Sequence, residues 1–263
     1  MNAPNETTLP ILLREDSEGV TRLTLNRPGQ FNSLSEELLG ELQAALNAIA
    51  KDASVRVVVI AGAGKAFCSG HDLKQMRANH GKAYMQKLFK QCGRMMMTLV
   101  EMPQPVIARV HGIATAAGCQ LVAMCDLAVA AQEAKFAVSG INLGLFCSTP
   151  SVALGRAMGR KQAMEMLLTG EFIDAAEAQR RGLINRVVAL DQLDAEVKKL
   201  SDSIIAKSAV AVGMGKQMFY RQMEMGLEGA YQLASETMAC NMMAEDAGAG
   251  IDAFMAKRKP EWR

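Results

Sequence analysis

No two of the six cysteines (Cys68, Cys92, Cys119, Cys125, Cys147 and Cys240) form a CxxC pair, so the spacing of a zinc ribbon or dithiol redox site is missing. Unpaired thiols suit a reducing compartment. The segment before residue 10 lacks both the basic start and the apolar stretch of a secretory signal, and a cytoplasmic protein is expected. Histidine is scarcer still: His71, His80 and His111 are the only three, none at the i, i+4 spacing of a helical metal site. No metal site is expected. No apolar run reaches the ~18 residues of a membrane span. Charge of neither sign dominates, since 29 Lys and Arg face 27 Asp and Glu. The chain therefore has no global bias towards nucleic acid or an anionic surface.

Half of the residues are apolar, enough for a sizeable core. MNAPNETTLP is short and polar and reads as a flexible tail over residues 1–10. ILLRED and VTRLTLNRP suit two strands around the Ser17-Glu18-Gly19 turn, and Ser35 reads as the N-cap of a helix running to about Asp52. RVVVIAG, VIARVHG and DLAVAA read as buried strands, and a helix is expected over residues 82–102, stopped by Pro103 and Pro105. Strands alternating with helices imply an α/β class with largely parallel pairing. Beyond Asp191 the pattern turns helical, with Leu193–Ile205, Val210–Met225, Tyr231–Met243 and Ile251–Ala256 as segments. The chain thus divides into a core over residues 11–203 and a C-terminal helical region over residues 204–263.

Two Gly-rich turns carry chemistry. Ser69-Gly70-His71-Asp72 follows the VVVIAG strand, and Ala116-Ala117-Gly118-Cys119 opens a helix. Such turns present backbone N–H groups, the donors that stabilise negative charge developing on a substrate oxygen.

Residues 111–150, HGIATAAGCQLVAMCDLAVAAQEAKFAVSGINLGLFCSTP, resemble the central motif of the enoyl-CoA hydratase/isomerase (crotonase) superfamily, with LNRP at 25–28 and LLTGE at 167–171 in the family's order. ATAAGCQLVAMCD, GINLGLFCSTP and the KRKPEW ending are similar to the branch called enoyl-CoA hydratase domain-containing protein 3. The resemblance implies a spiral of ββα units with a C-terminal helical region that drives assembly into a trimer or dimer of trimers. It also implies lyase or isomerase chemistry of fatty acid metabolism, with an acyl-CoA thioester as substrate and no covalently bound cofactor. The oxyanion hole would be the backbone amides of His71 and Ala117. CoA would be met by Lys65, Ala66, Phe67 and Lys74, and by Phe254 and Lys257 reaching a neighbouring subunit.

The two glutamates of the family's hydratases fall at Gln120 and Gly140 in this chain, and members of the similar branch lack them too. Those glutamates move the protons of hydration, a contribution of about 10²–10⁴-fold. Gln120 takes no proton at neutral pH, and Gly140 has no side chain. His71, Cys147 and Ser148 are the candidate substitutes, the last two near where dienoyl-CoA isomerases carry an acid. Asp72, Asp126 and Glu165 fall at positions the family uses for structure, and His111 is expected to bond within the core. The sequence leaves three readings: an enolate-stabilising acyl-CoA enzyme, a thioesterase or decarboxylase on the same scaffold, and a non-catalytic CoA-thioester binder.

Overall fold

The computed structural model describes residues 10–262. Apart from Pro10, the expected tail lies outside the described residues. Strands β1 (Leu12–Ser17) and β2 (Val20–Leu25) form an antiparallel hairpin. Glu18 and Gly19 both have positive φ at its turn, the geometry that matches the twist of paired strands. Helix α1 (Glu36–Ile49) begins where the Ser35 hydroxyl accepts a hydrogen bond from the Leu38 amide. Its buried face, Leu38, Leu39, Leu42, Leu46 and Ile49, follows the helical repeat.

Three units then repeat one pattern. The first is β3 (Val57–Gly62), β4 (Ala66–Cys68), α2 (Leu73–Ala78) and α3 (Lys82–Glu101). The second is β5 (Val106–Val110), β6 (Ile113–Thr115) and α4 (Ala117–Met124). The third is β7 (Leu127–Ala131), β8 (Lys135–Ala137), a 3₁₀ turn over Ser139–Leu143, α5 (Ser148–Ala157) and α6 (Arg160–Thr169). The leading strands β3, β5 and β7 lie side by side and parallel in one sheet. The second strands β4, β6 and β8 do the same in another. Each unit is therefore one coil of a spiral that contributes a strand to both sheets.

Strand β9 (Ile173–Asp174), helix α7 (Ala175–Arg180) and strand β10 (Arg186–Val188) complete sheets of order β1-β2-β3-β5-β7-β10 and β4-β6-β8-β9. Helix α8 (Leu193–Ile205) covers the outer face of the larger sheet, where Leu193 and Val197 pack on Val57, Val59, Ile107 and Val129. Burial on both faces is why these strands read as continuous apolar runs.

Helices α9 (Ala209–Gln222), α10 (Leu227–Met242) and α11 (Glu245–Met255) follow. Helix α10 has no buried residue, and Leu227 is 76% and Phe254 85% exposed. No helix among the described residues is long and apolar enough to cross a membrane.

The structure adds elements that the Gly-rich segment concealed. Strand β4 lies inside GAGKAFCSGHDL, and α2 follows directly. A three-residue strand is too short to show alternation, and β4 is wholly buried.

Candidate active site

The turns singled out in the sequence leave equivalent points of the spiral. His71 follows β4, Ala117 follows β6 and Gly140 follows β8, each at the C-terminal end of a strand in the smaller sheet. Register holds these ends together: Thr115 pairs with Ala137, and the Ala116 amide donates to the Ala137 carbonyl at 3.0 Å. Residues far apart in sequence thus meet at one sheet edge.

Gly70 has φ +93°, and a Cβ there would stand 2.9 Å from the Ala116 Cβ and 3.2 Å from the Ala117 amide nitrogen. Only glycine lets the two turns approach so closely. Ala116 itself holds φ 50° and ψ −121°, strained for an L-residue, as the N-cap of α4. That turn starts the helix at Ala117, whose N–H is among the amides an α-helix leaves free at its N-terminus. The His71 loop is fixed from the other side. Arg27 donates to Asp72 at 3.0 Å, and the second oxygen of Asp72 accepts from the Lys74 and Gln75 amides at 3.1 Å, capping α2. Burial alone would raise the Asp72 pKa, but the Gln75 amide and Arg27 guanidinium overcome it and hold the carboxyl below its ordinary value. Asp72 is thus a loop brace.

A cavity of about 1030 Å³ opens over this edge, lined by His71, Ala116, Ala117, Ser139, Gly140, Cys147 and Ser148 from the motifs. Met76, Met85, Phe89, Leu143, Leu145 and Phe146 form its apolar wall. These residues were not singled out in the sequence, where Met and Phe at such spacing look like ordinary core. Met95 and Met96, further along α3, are buried in the core instead, and Met97 is exposed. No Asp or Glu lines the cavity among the described residues.

The candidate proton carriers are poorly equipped. Burial pushes the His71 imidazole down to about 4, slightly offset by the Leu34 carbonyl. Neither ring nitrogen has a hydrogen-bond partner in proper geometry among the described residues, and the ring stands edge-on to Phe89, 5.4 Å between centroids. Burial raises the Cys147 thiol, whose Sγ lies 3.5 Å from the Val138 carbonyl. A raised pKa withholds the thiolate that a nucleophile needs. The Ser148 hydroxyl is 3.4 Å from the Phe146 carbonyl and has no imidazole or carboxylate partner among the described residues.

Gln120 is buried one turn beyond Ala117 on α4, with its side-chain oxygen unpartnered among the described residues, but it does not line the cavity. A Cβ on Gly140 would meet Cys147 Sγ and the Leu145 carbonyl oxygen, each at 2.7 Å. The chain has folded onto the space that a side chain would occupy.

None of the six residues expected at CoA lines this cavity. Ala66 and Phe67 are buried in β4, so only their backbone is available. Lys65 and Lys74 are exposed on the β4 and α2 side, while Phe254 and Lys257 are exposed at the end of α11. Asp126 holds the Val106 amide at 2.6 Å, Glu165 pairs with Arg181 at 2.8 Å, and His111 Nε2 lies 2.9 Å from the Gly64 carbonyl. All three are structural contacts.

The sequence pattern of the family described as Enoyl-CoA hydratase/isomerase matches residues 15–263. The chain is 45% identical over 253 residues to Enoyl-CoA hydratase domain-containing protein 3, mitochondrial, of Xenopus laevis, covering 96% of this chain and 86% of that one. The Homo sapiens protein of the same name is 44% identical over 245 residues, covering 93% and 81%. A crystal structure of an enoyl-CoA hydratase from Mycobacterium smegmatis superposes with TM-score 0.95 at 59% identity, covering 96% of this chain and 99% of that one. The mitochondrial names of the first two overturn the cytoplasmic expectation. Free thiols point to a reducing compartment but do not choose among such compartments. With its sequence matched almost end to end and its coils superposing on a solved relative, the chain belongs to the enoyl-CoA hydratase/isomerase family and has the crotonase fold.

Proposed function

We propose that the protein binds an acyl-CoA thioester with its carbonyl oxygen on the His71 and Ala117 amides, stabilising an enolate, and that it hydrates enoyl thioesters poorly. One observation carries this reading: the cavity at the two amides has no carboxylate lining it among the described residues. Amides aimed at a developing oxyanion need no proton of their own to act. Hydration does need proton transfer, and Gln120 and Gly140 stand where the family's hydratases keep glutamates. Gln120, buried outside the cavity lining, is left without a direct part in this reading. A thioesterase reading would need an activated nucleophile, and the raised Cys147 thiol weighs against it.

CoA itself falls outside the apolar cavity, on the side of Lys65 and Lys74, with Phe254 and Lys257 serving a neighbouring copy. The exposed apolar residues of α9–α11, among them Phe219, Leu227 and Met243, support assembly as a trimer or dimer of trimers.

The test combines titration calorimetry with butyryl-CoA and the loss of crotonyl-CoA thioester absorbance. Binding with hydration at least about 100-fold below that of a two-glutamate relative is expected. Hydration at that relative's rate would overturn the reading. Binding without turnover on a broad acyl-CoA panel would replace it with a non-catalytic binder.

A further inference from the structure

Between Asp72 and Glu101, which ends α3, residues 73–100 hold Lys74, Arg77, Lys82, Lys87, Lys90 and Arg94 and no Asp or Glu, in a chain whose net charge is only +2. Three basic side chains of this segment line the cavity together: Arg77 in the last turn of α2, His80 in the link, and Lys82 as the first residue of α3. All three are exposed to solvent at the cavity, whose other lining is mostly apolar, with Ser69, His71, Ser139, Ser148 and Thr149 among it. Arg27 holds Asp72, and Lys87 of the same segment holds Glu36. No ion pair or side-chain hydrogen bond of Arg77, His80 or Lys82 occurs among the described residues.

A further feature of the backbone points the same way. Gly81, the N-cap of the 20-residue helix α3, also lines the cavity, so the positive end of that helix dipole begins at its wall. The residues assigned to CoA stand outside the cavity, which leaves this end to the acyl group.

We propose that the cavity selects acyl-CoA thioesters whose acyl chain ends in a carboxylate, bound by Arg77 and Lys82 with His80 beside them. This rests on the acyl-CoA reading above and names its substrate class. Arg77 supplies a planar fork matched to a carboxylate, and Lys82 supplies a second, mobile charge. The apolar wall formed by Met76, Met85 and Phe89 carries the methylene chain between the two polar ends.

Titration calorimetry on the full chain with adipoyl-CoA and hexanoyl-CoA, which differ only at the chain terminus, tests this directly. The wild type is expected to prefer adipoyl-CoA by about 10-fold or more. Arg77→Ala/Lys82→Ala should lose that preference while holding hexanoyl-CoA as the wild type does. Equal affinity of the wild type for both ligands would overturn the selection and leave the acyl-CoA reading standing. An equal weakening of both ligands in the variant would assign the cations to the phosphates of CoA, and also overturn it. Failure of the wild type to bind either ligand would remove the acyl-CoA reading and this proposal together.

Discussion

The Lys216 ammonium lies 2.7 Å from the Asp126 carboxylate, with side-chain exposures of 6% and 14%. The pair joins α9 to the spiral. Lys216 also donates to the Leu99 and Gln104 carbonyls at 2.7 and 2.8 Å, while Asp126 accepts from Tyr220 at 2.9 Å. Lys216→Met should cost about 3–5 kcal/mol, because it leaves a carboxylate buried without its cation. Urea unfolding measures this. An unchanged midpoint would show that the joint contributes nothing.

Crowding at Gly140 decides which of positions 120 and 140 can take a carboxylate. Gly140→Ala should destabilise the protein by about 1–3 kcal/mol, since the Leu145 carbonyl oxygen belongs to the backbone and yields only if the loop moves. Gly140→Glu is expected to gain no hydration of crotonyl-CoA for the same reason. Gln120→Glu buries a carboxyl outside the cavity lining, so its gain in hydration should be small, though larger than that of Gly140→Glu. The reverse order of gains would contradict this view of the loop.

Asp72 makes the site loop sensitive to acid. Its folded pKa is depressed, so its contribution is present above the unfolded value of about 3.9 and is lost as pH falls through the folded one. Asp72→Asn should therefore be less stable than wild type at pH 6, with the gap closing as pH falls below about 4. A gap that stays constant over that range would sink the assignment.

His71 acts at higher pH and independently of Asp72. Its imidazole titrates near 4 in the fold and near 6.5 when unfolded, so the folded state loses stability as pH falls between those values. The loss is of order 3 kcal/mol. His71→Gln should flatten that stretch of the stability curve. On the proposed reading acyl-CoA binding should hold in the same variant, since that reading uses the His71 amide and not its ring.

Much of this was legible in the chain, and the limits have physical causes. VVVIAG and DLAVAA announced themselves because their strands are buried on both faces. Ser35 announced α1 because a cap has a fixed chemistry. The smaller sheet stayed hidden because Ala66–Cys68, Ile113–Thr115 and Lys135–Ala137 are each three residues long and gain their order only from one another. The turns holding His71 and Ala117 could be read from their glycines. That Cys147 presses on Gly140 could not, because it depends on how the loop after β8 returns. The basic end of the cavity was visible as charge in residues 73–100, but its meaning needed the fold to show that Arg77 and Lys82 share a cavity with Ala117.

Successive coils deliver one working position each, so the site is modular along the chain. On the proposed reading the first two coils hold the two amides, while the positions at issue for proton transfer, Gln120 and Gly140, sit on the second and third. A substitution in the 3₁₀ turn after β8 therefore alters one of those positions without touching the turns that carry the amides.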